Sequence, residues 1–425
     1  MIVRRARHRL LPILGLSLLT LAACQEKLAG GAACPTLCPG QQLEVHDTVL
    51  VATDVFDTTA VVTGMPPLGT ETQLLVARYA DAQGDSIVSS AVLRYDSLQR
   101  VFPRVDTTKP YVPITSVTAA SLQFTSTPDT SMIRDSIRFE VFDADANVPD
   151  LDTATIHQLF VTRPTIGTLN VKKDSVAVLH IVPLDTAFVR LRVTTPGARI
   201  RLGLRLFSYG SGTTGNAQVG VIPLTSTSST AGTSTGASLQ YEGKATVGDT
   251  VDSLNFVNYA HSKSSGGPEF KYLANYQLVL KGTPPAPSGL LPVGGLPSNR
   301  VYLRFDLPSV LIDSSTTIVR ATLLLHQLGD VAFSRTDSIS LTPRVVIASS
   351  TVTDISKAAL ILATPTTVPL ASVRVNPSQT RTDTLVLVSN SANLVTLWRA
   401  EGPRIMQRAI VLQSSGEGRD ARRFL

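Results

Sequence analysis

The sequence predicts an all-β fold: two antiparallel, jelly-roll-like β-sandwich domains in tandem, with one or two short helices. Three observations carry that prediction. Short runs of alternating polar and apolar residues recur, as in Ser136-Ile137-Arg138-Phe139-Glu140-Val141-Phe142, Val189-Arg190-Leu191-Arg192-Val193 and Arg201-Leu202-Gly203-Leu204-Arg205-Leu206. A period of two with β-branched residues marks half-buried strands, and the 26 Pro and 28 Gly supply turn signals between them. Finally, one order of short motifs occurs twice along the chain.

The first residues carry a different signal. Arg4, Arg5, Arg7, His8 and Arg9 precede an apolar run from Leu10 to Leu21. A charged segment before a short apolar one has the form of a secretory signal peptide, here residues 1–23. The run stops well short of the roughly 20 residues that a spanning helix needs. It ends in Leu21-Ala22-Ala23-Cys24, which resembles the bacterial lipobox. That resemblance implies a diacylglyceryl group on the Cys24 sulfur and cleavage just before it. The alternative is an ordinary small-residue cleavage site beside a coincidental cysteine. Gln25 follows Cys24 where an aspartate would mark retention, so by enterobacterial sorting rules the expected location is the outer rather than the inner membrane. The membrane, reached through a lipid anchor, is the first expected partner.

Four of the 38 basic residues lie in this leader, which leaves 34 against 32 acidic ones. The high pI of about 9.3 is thus mostly a property of the leader and gives no argument for nucleic acid. Cys34 and Cys38, in Cys34-Pro35-Thr36-Leu37-Cys38, are the remaining cysteines. In an oxidising compartment such a pair is expected to form a disulfide. A zinc site would need four ligands, and only His46 lies near. Residues 24–42 read as a lipidated tether.

The roughly 400 residues after the leader exceed one compact core. The Ser/Thr/Gly-rich stretch at 224–244 reads as a linker between a first sandwich at 43–223 and a second at 245–425. The two halves match in order. Val45-His46-Asp47-Thr48-Val49 corresponds to Val247-Gly248-Asp249-Thr250-Val251, and Val92-Leu93-Arg94-Tyr95-Asp96 to Tyr302-Leu303-Arg304-Phe305-Asp306. Ala120-Ser121-Leu122 corresponds to Ala321-Thr322-Leu323, and Leu179 to Gly212 aligns without gaps on Leu385 to Gly418. Helical patterns are expected at Asp152–Phe160, with Asp152 as N-cap, and at Ser391–Trp398.

The second half carries Arg300-Val301-Tyr302-Leu303-Arg304-Phe305-Asp306-Leu307-Pro308, then Arg320-Ala321-Thr322-Leu323-Leu324-Leu325, Asn393-Leu394-Val395-Thr396-Leu397-Trp398 and Ala409-Ile410-Val411-Leu412. This order resembles the DNRLRE-type domains, jelly-roll-like sandwiches related to carbohydrate-binding modules of bacterial surface proteins. The resemblance covers roughly Val247 to Leu425, and the first half looks like a divergent copy with Arg192 in the place of the Trp. It implies display or attachment rather than a reaction. Alternation puts Tyr302, Arg304 and Asp306 on one strand face, where Arg304 with Asp306, and Arg94 with Asp96, are expected as edge or surface ion pairs.

No catalytic constellation emerges. His46, His157, His180, His261 and His326 are scattered, and neither HExxH nor GxSxG occurs. Carboxylates such as Glu269, Asp306 and Glu401 show no pairing specific to a glycosidase. The sequence therefore predicts a non-enzyme without a resident cofactor. Asp143, Asp145, Asn147 and Asp150 have the oxygen spacing of a calcium loop, but Val148 replaces the glycine of an EF-hand. Either a calcium site or an Asx-rich turn into the Asp152 helix fits. A glycan platform would need exposed aromatic faces. Trp398 lies in an apolar helical stripe, so the candidate ligand-binding residues are Tyr259, His261, Tyr272 and Tyr276, facing a cell-surface or environmental polysaccharide.

One expectation concerns the end of the sequence. Gln218-Val219-Gly220-Val221-Ile222 reads as the last strand of the first half, and its counterpart would begin at about Phe424. The second sandwich is therefore expected to be one strand short, or to be completed by another chain.

Overall fold

The computed structural model describes residues 47–64, 73–80, 86–96, 98–102, 111–128, 136–149, 152–172, 179–210, 213–215, 217–222, 237–247, 250–259, 275–312, 317–329, 338–346, 370–376, 379–389, 392–401, 407–418 and 420–425. The body from Thr53 onward forms one compact unit of antiparallel sheets. Its strands are β1 (Phe56–Gly64), β2 (Leu74–Ala80), β3 (Ser86–Tyr95), β4 (Ser116–Pro128), β5 (Ser136–Asp143), β6 (Thr165–Lys172), β7 (Leu179–Pro183), β8 (Ile200–Gly210), β9 (Thr213–Gly215), β10 (Ala217–Ile222), β11 (Ser238–Val247), β12 (Thr250–Tyr259) and β13 (Tyr276–Lys281). There follow β14 (Val293–Gly294), β15 (Ser298–Phe305), β16 (Ala321–Gln327), β17 (Ile339–Val345), β18 (Val373–Val375), β19 (Arg381–Ser389), β20 (Ala392–Asn393), β21 (Ala409–Ser414) and β22 (Arg423–Phe424). The longer helices are α1 (Thr153–Thr162), α2 (Thr186–Thr194) and α3 (Leu394–Glu401), beside single turns at Ala52–Val55 and Ser309–Ile312.

Strand order repeats. The first sandwich contains β6-β5-β8-β3-β2-β10 and the second β18-β17-β21-β15-β14-β22, so that strands of the same rank along the chain hold the same places. Opposite these layers lie β4 with β7 and β11 in the first, and β16 with β19 in the second. In the first sandwich β10 pairs with both β2 and β4, which joins the two layers into a single twelve-stranded sheet. The core follows from alternation: Leu93, Phe139, Leu204, Leu122, Phe124 and Leu239 meet in one cluster, all 0% exposed. In the second cluster, Val301, Leu303, Ile410 and Leu412 face Leu385, Leu387 and Trp398.

The boundary differs from the sequence reading. Residues 238–247 are not linker: they form β11, which pairs with β4 in the first sandwich. That sandwich continues through β12 and β13, and β1 belongs to the second sheet, where it pairs with β15. The leading strands are thus exchanged. β1 precedes the β2–β3 hairpin in sequence but pairs with β15; β13 precedes β14–β15 but pairs with β3. The registers correspond, with Val61 opposite Val301 as Gln277 is opposite Ala91, and Ala60 opposite Tyr302 as Tyr276 is opposite Val92. Leu75, Ala77, Tyr79 and Ile87 of the first sandwich pack on Leu296 and Ala421 of the second, closing the joint with a small apolar cluster.

Three further differences have local causes. Val189–Val193, which alternates like a strand, lies in α2, where Asp185 caps the start by accepting from Ala187 N at 2.8 Å. Val189 and Val193 stack one turn apart in the core while Leu191 is 63% exposed, a helical pattern that a five-residue window cannot separate from alternation. Arg94 is buried rather than on the surface, because α1 and the turn before it cover the outer face of β3, β5 and β8. Gly203 admits that cover: a Cβ there would lie 2.4 Å from Phe160 Cζ, so only glycine fits beneath the helix.

Candidate functional site

Among the predicted site residues, Cys24, Cys34, Cys38, Asp150, His261 and Tyr272 lie outside the described residues. For Tyr259 the backbone alone is described, ending β12 opposite Ser238. Tyr276 is removed from any exposed platform. It is 0% exposed and packs with Val92, Phe142, Ile156, Phe160 and Leu278 beneath α1. Phe142 and Phe207 on the adjoining face are capped by guanidinium groups, Arg205 lying 4.5 and 4.8 Å from their centroids and Arg78 4.4 Å from Phe207. Rings so covered offer no open face for a sugar to stack on.

The Asp143 loop is tied down by its own chain. Asp145 N donates to Asp143 Oδ1 and Asn147 N to Asp145 Oδ1, both at 3.1 Å, and Asp145 takes a positive φ of 45°. Arg192 Nη2 donates to Asp143 Oδ2 at 2.9 Å, and Arg163 lies 3.7 Å from Asp145 Oδ2. The buried Arg201 donates to the carbonyl oxygens of Ala144 and Asp145. Three guanidinium groups around a loop oppose a divalent cation, and the paired backbone contacts are those of Asx turns, so the geometry supports the turn reading. Among the described residues no group of three or more His, Cys, Asp or Glu could hold a metal. The turn leads into α1, where Thr155 N and Oγ1 donate to the Asp152 carboxylate at 3.1 and 2.7 Å and lower its pKa.

The ion pairs expected on the strands take different forms. Arg94 Nε donates to both Asp96 oxygens at 2.7 and 2.9 Å from a buried position. Arg304 pairs instead with Asp57 of β1, at 2.7 Å to each oxygen and half exposed, so its partner comes from the exchanged strand. Tyr302 is buried, and its hydroxyl donates to Gln407.

One contact escaped the sequence reading. Ser126 Oγ lies 2.6 Å from His180 Nε2, a pairing that superficially matches a nucleophile with its base. The pair is walled in by Phe124 and Phe139, whose rings lie 5.2 and 4.8 Å from the imidazole. Burial lowers the His180 pKa to about 4, so the ring is neutral and a poor proton acceptor at neutral pH. This is a core hydrogen bond between β4 and β7.

The remaining candidate is a strand edge. β16 pairs with β19, and among the described residues no strand lies along its other edge from Ala321 to Gln327. Leu324 is 58% exposed there, flanked by Val319 and Leu328. β22 holds the position of β10, pairing with β14 as β10 pairs with β2, and the N–H of Leu328 donates to the carbonyl of Leu425 at 3.0 Å.

No family model and no curated protein match the chain. Among solved structures, a crystal structure at 2.00 Å resolution of a protein from Parabacteroides distasonis ATCC 8503, described as secreted by inference only, aligns with 86% of this chain and 96% of its own length. It is 8% identical with a TM-score of 0.20. No helix among the described residues is long and apolar enough to cross a membrane.

Proposed function

We propose that the chain is a non-catalytic cell-envelope protein, lipid-anchored through Cys24 at the outer membrane, with a scaffold or adhesion role. The observation that supports this reading most is the strand exchange. β1, the first strand after the tether, is stitched to β15 along its length from Phe56 to Gly64, while β13 stitches back to β3. A load entering at the N-terminal side is therefore carried into both sandwiches, as a body hung from a tether requires. The leader supports export, and the Leu21-Ala22-Ala23-Cys24 pattern supports acylation. Cys34 and Cys38 fit a disulfide beside that anchor.

Cys24→Ser is expected to abolish incorporation of labelled fatty acid and to move the protein from the detergent to the aqueous phase. A Cys24→Ser chain that is still processed, labelled and detergent-partitioning would refute the anchor. Mass spectrometry of unreduced protein is expected to find the Cys34–Cys38 peptide two hydrogens lighter than its dithiol form. A glycan array on the same material separates the scaffold role from polysaccharide binding, which predicts saturable retention on at least one sugar.

A further inference from the structure

The exchanged strand β1 is fastened most firmly at the end where the chain enters it. Phe56 lies opposite Phe305 and Thr58 opposite Arg304, so β1 advances two residues where β15 advances one. Asp57 is the additional residue of this bulge. An uninterrupted ladder would leave Phe56 on the face of Thr58, Ala60 and Val62, away from the second core. The bulge turns it inward instead. Its ring lies 4.8 Å from Phe305, which is itself 5.2 Å from Trp398, and it packs with Val55 at the margin of the second core. The same bulge brings Asp57 to Arg304, whose Nε donates to both carboxylate oxygens at 2.7 Å. The N–H of Asp306 donates to the Val55 carbonyl at 2.6 Å, which extends the contact one residue ahead of the strand.

Along the rest of β1 the side chains contribute less. Thr59, Val61 and Thr63 are exposed, and Ala60 adds a methyl group to the small cluster around Tyr302. At the far end the Thr63 hydroxyl donates to Asn299 in an exposed position. The backbone ladder is continuous, but ring, ion pair and leading hydrogen bond are gathered at Val55–Asp57.

We propose that Val55–Asp57 is a mechanical latch, which resists load drawn along the N-terminal segment before that load reaches the remaining β1–β15 ladder. This rests on the tethered reading above for the point where load enters. β1 begins at the Phe305 end of β15, whereas β14 sits opposite Asn299 at the other end. A body held from the β14 side and pulled from its N-terminal segment therefore loads β1 along its own axis. Ladder hydrogen bonds lie perpendicular to that force and share it. β1 cannot slide past β15 without withdrawing the Phe56 ring from the core and parting Asp57 from Arg304. The latch thus stands first in the path of the load and must open first.

The test is a single-molecule force clamp on the full chain with Cys24, Cys34 and Cys38 replaced by serine. Handles are attached at Val49→Cys, before β1, and at Leu291→Cys, just before β14, which are 92% and 40% exposed. The handles stand in for the tether, so the result is independent of acylation and survives a failure of the Cys24→Ser test. At constant force, Phe56→Ala is expected to shorten the lifetime of the β1 attachment about tenfold and Asp57→Asn about threefold. Val61→Ala, at an exposed position in mid-strand, is expected to leave it within a factor of about two. Asp57→Asn alters a half-exposed pair and keeps the test if Phe56→Ala fails to fold. With the first handle moved to Val319→Cys, 69% exposed and just before β16, β1 is no longer pulled directly. There the latch variants are expected to match the wild type. Unchanged lifetimes in the Val49 geometry would overturn the proposal, as would an equal loss from Val61→Ala. Equal shortening in the Val319 geometry would do the same, since it would reduce the latch to a general stabiliser of the second sandwich.

Discussion

Trp398→Ala is expected to destabilise the protein by about 3–5 kcal/mol, the range for removing a large buried aromatic side chain. The indole is 2% exposed on α3, one turn from Leu394 and Val395, which are 0% and 5% exposed. Its ring lies 5.2 Å from Phe305 of β15, and Phe305 lies 4.8 Å from Phe56 of β1. The cavity would therefore open at the point where α3, β15 and the exchanged strand meet, too rigid a junction to collapse around it. Chemical denaturation followed by circular dichroism measures the loss. Leu397→Ala, at a half-buried position on the same helix, serves as the control and is expected to cost about 1 kcal/mol. A Trp398→Ala loss no larger than that of the control would mean that the aromatic stack does not hold the second sandwich together.

Acid is expected to cost the protein on the order of 3 kcal/mol through His180 alone, since one pKa unit corresponds to about 1.4 kcal/mol. The imidazole titrates at 6.5 when unfolded, and burial against Phe124 and Phe139 lowers it to about 4 in the fold. Between those values the unfolded state binds the additional proton, so stability falls as pH drops from 6.5 to about 4 and this contribution is flat below. The Asp152 cap acts in the same direction, but its loss comes only once the pH falls into the carboxylate range. Urea midpoints measured across that window are expected to slope in the wild type and to flatten in His180→Leu. An unchanged slope in His180→Leu would place the acid sensitivity elsewhere.

Local pattern made much of the fold legible. Period-two alternation located β5 and β8, and the Asp152 cap located α1. The order of matched motifs anticipated the matched strand orders, because strand pairing follows chain order wherever hairpins connect neighbours. What pattern could not convey was which edge a strand would fill. β1 and β13 have equivalent positions in sequence, and either could seal β3 or β15 by backbone hydrogen bonds, which carry no residue-specific label. The composition of the Ser/Thr/Gly stretch suits a linker between domains, yet in sequence it joins β10 and β11, two strands placed end to end on one edge. Alternation places Arg94 and Tyr276 at the surface because it reports one covered face; α1 covers the other. At the candidate sites, the Asp143 loop shows the same limit. Carboxylate spacing was visible in sequence, but Arg163, Arg192 and Arg201 reach it from distant positions.

The two sandwiches are joined by exchange of their leading strands, and paired cysteines test this exchange directly. With the native cysteines replaced by serine, Val61→Cys with Val301→Cys is expected to form a disulfide within one chain under mild oxidation, since those residues are Cα partners across β1 and β15. Val61→Cys with Ala91→Cys is expected to remain reduced, because Gln277 of β13 occupies the place opposite Ala91. Efficient closure of the second pair, with the first left open, would return β1 to the first sandwich and contradict the exchange.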